Sequence, residues 1–170
     1  MCFRGFILAV ALNCLGFGAA AQDAELRDTQ QQGPWFTGEQ QSAQTGASEY
    51  FAITRSNEDI DFWFSFACLG DKRVYLSLGN FGGEGFRGNL FSIEIRFDAG
   101  PPVFAEGKFV NAKVIAVDPT VSERILVALI DSKVIEITIS GRSEDVDARS
   151  FDVQPCLPAL SKLIAACSAK

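Results

Sequence analysis

Residues 91–97 alternate without a break: Phe91, Ile93, Ile95 and Phe97 fall on one side, Ser92, Glu94 and Arg96 on the other. Successive side chains of a strand point to opposite faces, so such a segment buries one face and wets the other. The pattern recurs at 60–68, with Ile60, Phe62, Phe64, Phe66 and Cys68 on one face and Asp61, Trp63, Ser65 and Ala67 on the other. Aromatic and β-branched residues mark further strands at 50–54 and 74–78, with weaker ones at 103–109 and 113–117. Ser56, Asn57, Glu58 and Asp59, then Gly70, Asp71 and Lys72, then residues 98–102 supply the turns between them.

The period lengthens after residue 117. Asp118 is placed to cap a helix with Pro119 in its first turn, and residues 120–123 offer a capping box as an alternative start. Val121, Ile125, Leu126, Leu129 and Ile130 then recur at helical spacing to about residue 131. Ile135, Ile137 and Ile139 return to alternation, residues 150–153 form another strand, and residues 155–167 carry a helical stripe ending at Cys167. The expected class is mainly β (α+β): an antiparallel β-sandwich or strongly curved sheet with one mid-chain helix and a C-terminal helix.

Residues 1–21 read as a secretory signal peptide. Arg4 precedes the apolar run 6–17, and three alanines precede polar Gln22 and Asp23. That run is too short to span a bilayer as a mature helix. Lipid modification of Cys14 is disfavoured by bulky Asn13 before it. Residues 22–34 are polar, Gln-rich and without apolar periodicity, and are expected to be a flexible polar tail. Trp35 begins the folded part, so 35–170 is read as a single β-rich domain, any strand in 38–48 being short or frayed.

Loss of Arg4 with the signal takes the formal charge from −6 to about −7. An acidic chain repels phosphate backbones, so nucleic acid is not an expected partner, nor is stable membrane insertion expected after signal cleavage. The 170 residues include no histidine, which removes the commonest general base and metal ligand. Ser-His-Asp and Cys-His catalysis are thereby excluded, and no cofactor is expected.

Of the five cysteines, Cys68, Cys156 and Cys167 survive cleavage into an oxidising compartment. Cys156 and Cys167 on one helix would lie about 16 Å apart along its axis, beyond the roughly 7 Å limit for a bridge. Cys68 then pairs with one of the two, and we favour Cys167. Without a histidine nearby, Cys156 is expected to be a buried small hydrophobe and not an activated thiol.

Residues 83–88 spell G-x-G-x-x-G, but lead into the alternating segment 91–97 where a dinucleotide site needs a helix N-terminus. They are read as a glycine-rich hairpin loop that presents Phe81 and Phe86 as candidate partner contacts. Trp63 and Tyr75 are candidate contacts on an exposed aromatic face. The acidic groups Glu58, Asp59, Asp61 and Glu144, Asp145, Asp147 lack the register of a calcium loop, so no metal is expected.

Residues 123–130, 134–139 and 150–153, followed by 157–167 closing on cysteine, resemble the ending of small periplasmic accessory proteins associated with type VI secretion. Phe66, Ala67 and Cys68, the strand 74–78 and the segment 91–98 are similar to that family's first cysteine and central strands. A looser likeness reaches the invasion-associated locus B proteins. Cys156 departs from the pattern, standing where a small residue or glycine is expected. The resemblance spans residues 60–167 and implies an envelope role without a catalytic centre and a Cys68–Cys167 bridge. The expected function is that of a periplasmic, non-enzymatic accessory or adaptor protein that binds another envelope or secreted protein. The alternative is a secreted inhibitor of a cell-wall hydrolase or protease. A carboxylate-based glycan hydrolase, which needs only two suitably spaced acids, ranks lower.

Overall fold

The structure is a computed structural model that describes residues 26–41, 46–80, 90–111, 114–140 and 146–168. The expected signal peptide, residues 1–21, lies outside them. In chain order the described elements are β1 (Leu26–Gln32), β2 (Trp35–Gln41), β3 (Ser48–Arg55), β4 (Trp63–Cys68), β5 (Val74–Gly79), β6 (Leu90–Phe97), β7 (Val103–Asn111), β8 (Val114–Val117), α1 (Pro119–Leu129), β9 (Val134–Ser140), β10 (Val146–Asp152) and α2 (Leu157–Ser168). The strands form one sheet in the order β1-β2-β3-β4-β5-β8-β7-β6-β9-β10, each described pairing being antiparallel. The mainly β class with a mid-chain and a C-terminal helix is as the sequence periodicity predicts.

Cross-strand register lays the alternating residues into one inward layer. Phe64 opposes Leu78, Phe66 opposes Leu76, Ile93 opposes Ala105 and Ile139, and Ile95 opposes Ile137. All of these are buried in one cluster with Ile125, Leu126 and Leu129 of α1 and Ala159, Leu160 and Leu163 of α2. Aromatic rings join the sheet's two halves: Phe64 packs edge-on against Trp35 at 5.3 Å and against Phe151 at 4.9 Å. Such perpendicular pairs contribute about 0.5–1.5 kcal/mol beyond their buried area.

The helices start where local chemistry supplies their caps. Asp118 Oδ1 accepts from Thr120 N at 2.8 Å with Pro119 following, so Asp118 and not the Thr120 alternative is the cap. Ser122 fastens α1 to the sheet, accepting from Leu76 N at 2.9 Å while its hydroxyl donates back to Asp118 O at 2.9 Å.

Three segments differ from expectation. Within the expected flexible polar tail 22–34, Leu26–Gln32 is strand β1, paired along β2. Edge pairing is made by backbone groups and needs no apolar side chains, which is why periodicity does not reveal it. β2 likewise runs seven residues through polar Gly38, Glu39 and Gln40. Ile60, Asp61 and Phe62 leave the expected alternation: they belong to a turn closed by Ser56 N to Phe62 O at 2.9 Å and Phe62 N to Asp59 O at 3.0 Å. Ser56 Oγ accepts from Glu58 N and Asp59 N, the local bonding by which serine competes with a strand ladder.

Candidate contact surface at the loop end of the sheet

Phe81 and Phe86, like residues 81–89 as a whole, lie outside the described residues. The element that follows them, β6, is a strand. Trp63 is not on an exposed aromatic face: it is 7 % exposed. Its indole lies across Gly79, its β5 neighbour, where an added Cβ would stand only 1.9 Å from the ring. A small residue on the partner strand lets the large ring lie flat on the sheet, and the alternation at 60–68 carries no sign of that. Tyr75 is half-buried, and its hydroxyl donates to Asp71 Oδ2 at 2.6 Å. That bond, with burial behind it, pushes the phenol up from its ordinary value.

Cys68 and Cys167 form the disulfide, with Cα atoms 5.7 Å apart. The bridge pins the end of α2 to β4. Cys156 is fully buried and free. Its thiol donates toward Leu129 O at 3.6 Å and Ile130 O at 3.4 Å, where α1 ends. Burial pushes this thiol up, away from the reactive thiolate.

The antiparallel order gives the sheet a loop end, where β3, β5, β7 and β9 finish and β4, β6, β8 and β10 begin. Three aliphatic side chains stand exposed there: Ile60 at 65 %, Val146 at 62 % and Leu90 at 44 %. Ile60 sits in the turn that joins β3 to β4, Val146 opens β10 and Leu90 opens β6.

That turn is bonded to β10 across 93 residues of sequence. Asn57 N donates to Ser150 O at 2.9 Å, and Asn57 Nδ2 donates to Ser150 Oγ at 3.2 Å. Glu58 receives Ser150 N at 3.0 Å and the Ser150 hydroxyl at 2.5 Å. Desolvation opposes ionisation of Glu58, but the bonds from Ser150 and Ser56 outweigh it and hold the carboxyl at about 2. The last residues of the β10 edge, Ser150 and Asp152, are thereby covered by side chains and turn backbone.

The same docking brings Asp59 within electrostatic reach of Asp147. Asp147 pairs with Arg149, whose guanidinium lies 5.3 Å from the centre of the Phe62 ring. Burial raises Asp147 above the usual carboxylate range, Arg149 opposes the rise and the charge of Asp59 adds to it. Two acidic segments that are distant in the sequence thus contribute to one surface, though Glu144 and Asp145 lie outside the described residues. Among the described residues no three His, Cys, Asp or Glu side chains are grouped to hold a metal ion. A shallow cleft lies elsewhere, between α2 and the first three strands, lined by Asp28, Thr37, Tyr50, Lys162 and Leu163 among others.

No protein-family model matches the chain, and no curated protein matches it. Its fold is similar to the crystal structure of invasion associated protein B from Bartonella henselae, with a TM-score of 0.56. The match is 16 % identical in sequence and covers 81 % of this chain and 96 % of that one. The likeness is one of fold. It supports the looser of the two resemblances read from the sequence; the type VI secretion-associated likeness gains no support from the comparisons.

Proposed function

We infer that this chain is an exported, non-enzymatic envelope protein that binds another envelope or secreted protein through the loop end of its sheet. The observation that carries the reading is the exposure of Ile60, Leu90 and Val146 at that one end. Single exposed apolar side chains are ordinary on a protein surface, as Phe104, Val127 and Leu157 are elsewhere on this one, and it is their gathering in one region that marks a contact site. The surface is also built to hold its shape, since the turn bearing Ile60 is bonded to β10 through Asn57, Glu58 and Ser150. A preorganised surface binds with little loss of conformational freedom.

Export is supported by the signal-like order of residues 1–21 and by the Cys68–Cys167 disulfide, which persists in an oxidising compartment. Among the described residues no helix is long and apolar enough to cross a membrane. The non-enzymatic reading rests on the missing histidines and on a free cysteine held in its unreactive form.

The test is affinity capture by the mature, oxidised protein from its own envelope fraction, set beside the Ile60→Ser, Leu90→Ser, Val146→Ser triple variant. A stoichiometric partner held by the first and lost by the second supports the reading. A partner held equally by both moves the contact off this end of the sheet.

A further inference from the structure

We propose that the turn at residues 56–59 is a plug on a strand-addition site. It occupies the outer edge of β10 as a further strand would, and so withholds that edge from the β10 of a second copy of this chain.

β10 ends the sheet, with β9 on one side only. Ser150 and Asp152 are two residues apart, so their backbone groups turn to the same side, away from β9. An added strand would bring an acceptor to Ser150 N, a donor to Ser150 O and an acceptor to Asp152 N. The turn supplies all three. Glu58 Oε2 accepts from Ser150 N at 3.0 Å, Asn57 N donates to Ser150 O at 2.9 Å, and Asn57 Oδ1 accepts from Asp152 N at 3.4 Å. Two of these partners are side-chain atoms, so the turn fills the ladder sites without becoming a strand that another could extend. One step along the edge, the Ala148 carbonyl accepts from Arg149 Nη1 at 2.9 Å.

The plug is itself held in shape. The Ser56 hydroxyl donates to Glu58 Oε2 at 2.6 Å, and its oxygen accepts from Glu58 N at 3.1 Å. Uncovered, the edge suits a copy of itself. Two identical strands can pair antiparallel about a two-fold axis, the commonest symmetry of soluble oligomers. With the axis at Ala148, Asp147 of each copy stands opposite Arg149 of the other, a cross-strand pair of opposite charge.

The test is the mass of the mature, oxidised chain, measured by size-exclusion chromatography with light scattering over a range of concentrations. The parent is expected to stay monomeric. The Asn57→Ala, Glu58→Ala double variant is expected to shift toward a dimer as concentration rises. Adding Ala148→Pro to it is expected to return the monomer. That proline removes an N–H at the centre of the new pairing, and an edge strand tolerates it where the N–H faces away from its neighbour. Asn57→Ala alone keeps the Glu58 bonds to Ser150 and is expected to associate more weakly. It decides the matter if circular dichroism shows the double variant to be unfolded.

A folded variant that stays monomeric at every concentration overturns the proposal. So does association that Ala148→Pro leaves intact, which places the contact elsewhere. A parent that dimerises through β10, and loses the dimer on Ala148→Pro, overturns it too, because the edge is then open with the turn in place.

Discussion

Trp35 Nε1 donates to the carbonyl of Val153 at 2.7 Å, a buried bond between residues 118 apart in the chain. Trp35 opens β2 and Val153 follows β10, so this single bond ties the region near one edge of the open sheet to the other. Phe64 lies edge-on between Trp35 and Phe151 and fills the space beneath. Trp35→Phe keeps an aromatic ring but leaves the Val153 carbonyl unpaired in a dry site, at an expected cost of about 2 kcal/mol. Guanidinium denaturation, comparing the midpoint at constant slope, measures it.

A second expectation follows from Trp63 lying on Gly79. Gly79→Ala drives a methyl group into the indole, and overpacking of this sort costs about 1–3 kcal/mol. Trp63→Leu is destabilising by itself, through lost burial, yet removes the clash. The double variant is therefore expected to be more stable than the sum of the two single effects predicts, by about 1 kcal/mol or more. Simple additivity would show that the ring moves aside freely.

Acid sensitivity is centred on the turn that Glu58 holds. Its carboxyl sits at about 2 when folded against an ordinary 4.5, so the unfolded chain takes up the proton first. The contribution is fully present above 4.5 and is lost as pH falls from there through about 2. Thermal unfolding of the parent and of Glu58→Gln is expected to differ near neutral pH and to converge toward pH ~2. A gap that stays constant across that range contradicts the assignment.

The cysteines divide by accessibility and role. Peptide mapping without reductant is expected to link Cys68 to Cys167, leaving Cys156 unmodified by iodoacetamide until denaturant is added. Closing a loop of this length stabilises the fold by about 4–5 kcal/mol in the chain-entropy model, so Cys68→Ser is expected to lower stability on that order. Rapid alkylation of Cys156 in the native protein would contradict its buried placement.

Much of this fold is legible in the chain because its strands alternate and its first helix carries its cap. The segment 91–97 falls within β6, and Asp118 with Pro119 starts α1. β1 is invisible to periodicity because an edge strand paired by backbone bonds does not need apolar side chains, and its Gln30, Gln31 and Gln32 read as a tail. Residues 60–62 misread as strand because Ile60 and Phe62 continue the alternation, whereas the serine-bonded turn at Ser56 overrides it. The candidate surface is less legible. Trp63 looks like an outward aromatic until Gly79 is known to lie beneath it. The union of the turn at 56–62 with β10 depends on Glu58 and Ser150, polar residues 92 apart whose pairing leaves no local pattern. The one available signal is that Glu58, Asp59, Asp61 and Asp147 are acids in segments that both precede or begin strands.

Hydrogen–deuterium exchange of the mature, oxidised protein with and without its captured partner tests the central claim most directly, because it locates the contact without substitution. New protection is predicted over residues 56–62 and at the starts of β6 and β10, around Leu90 and Val146. Protection confined to α2 and the cleft beside Tyr50 and Lys162, with those segments unchanged, would contradict the account.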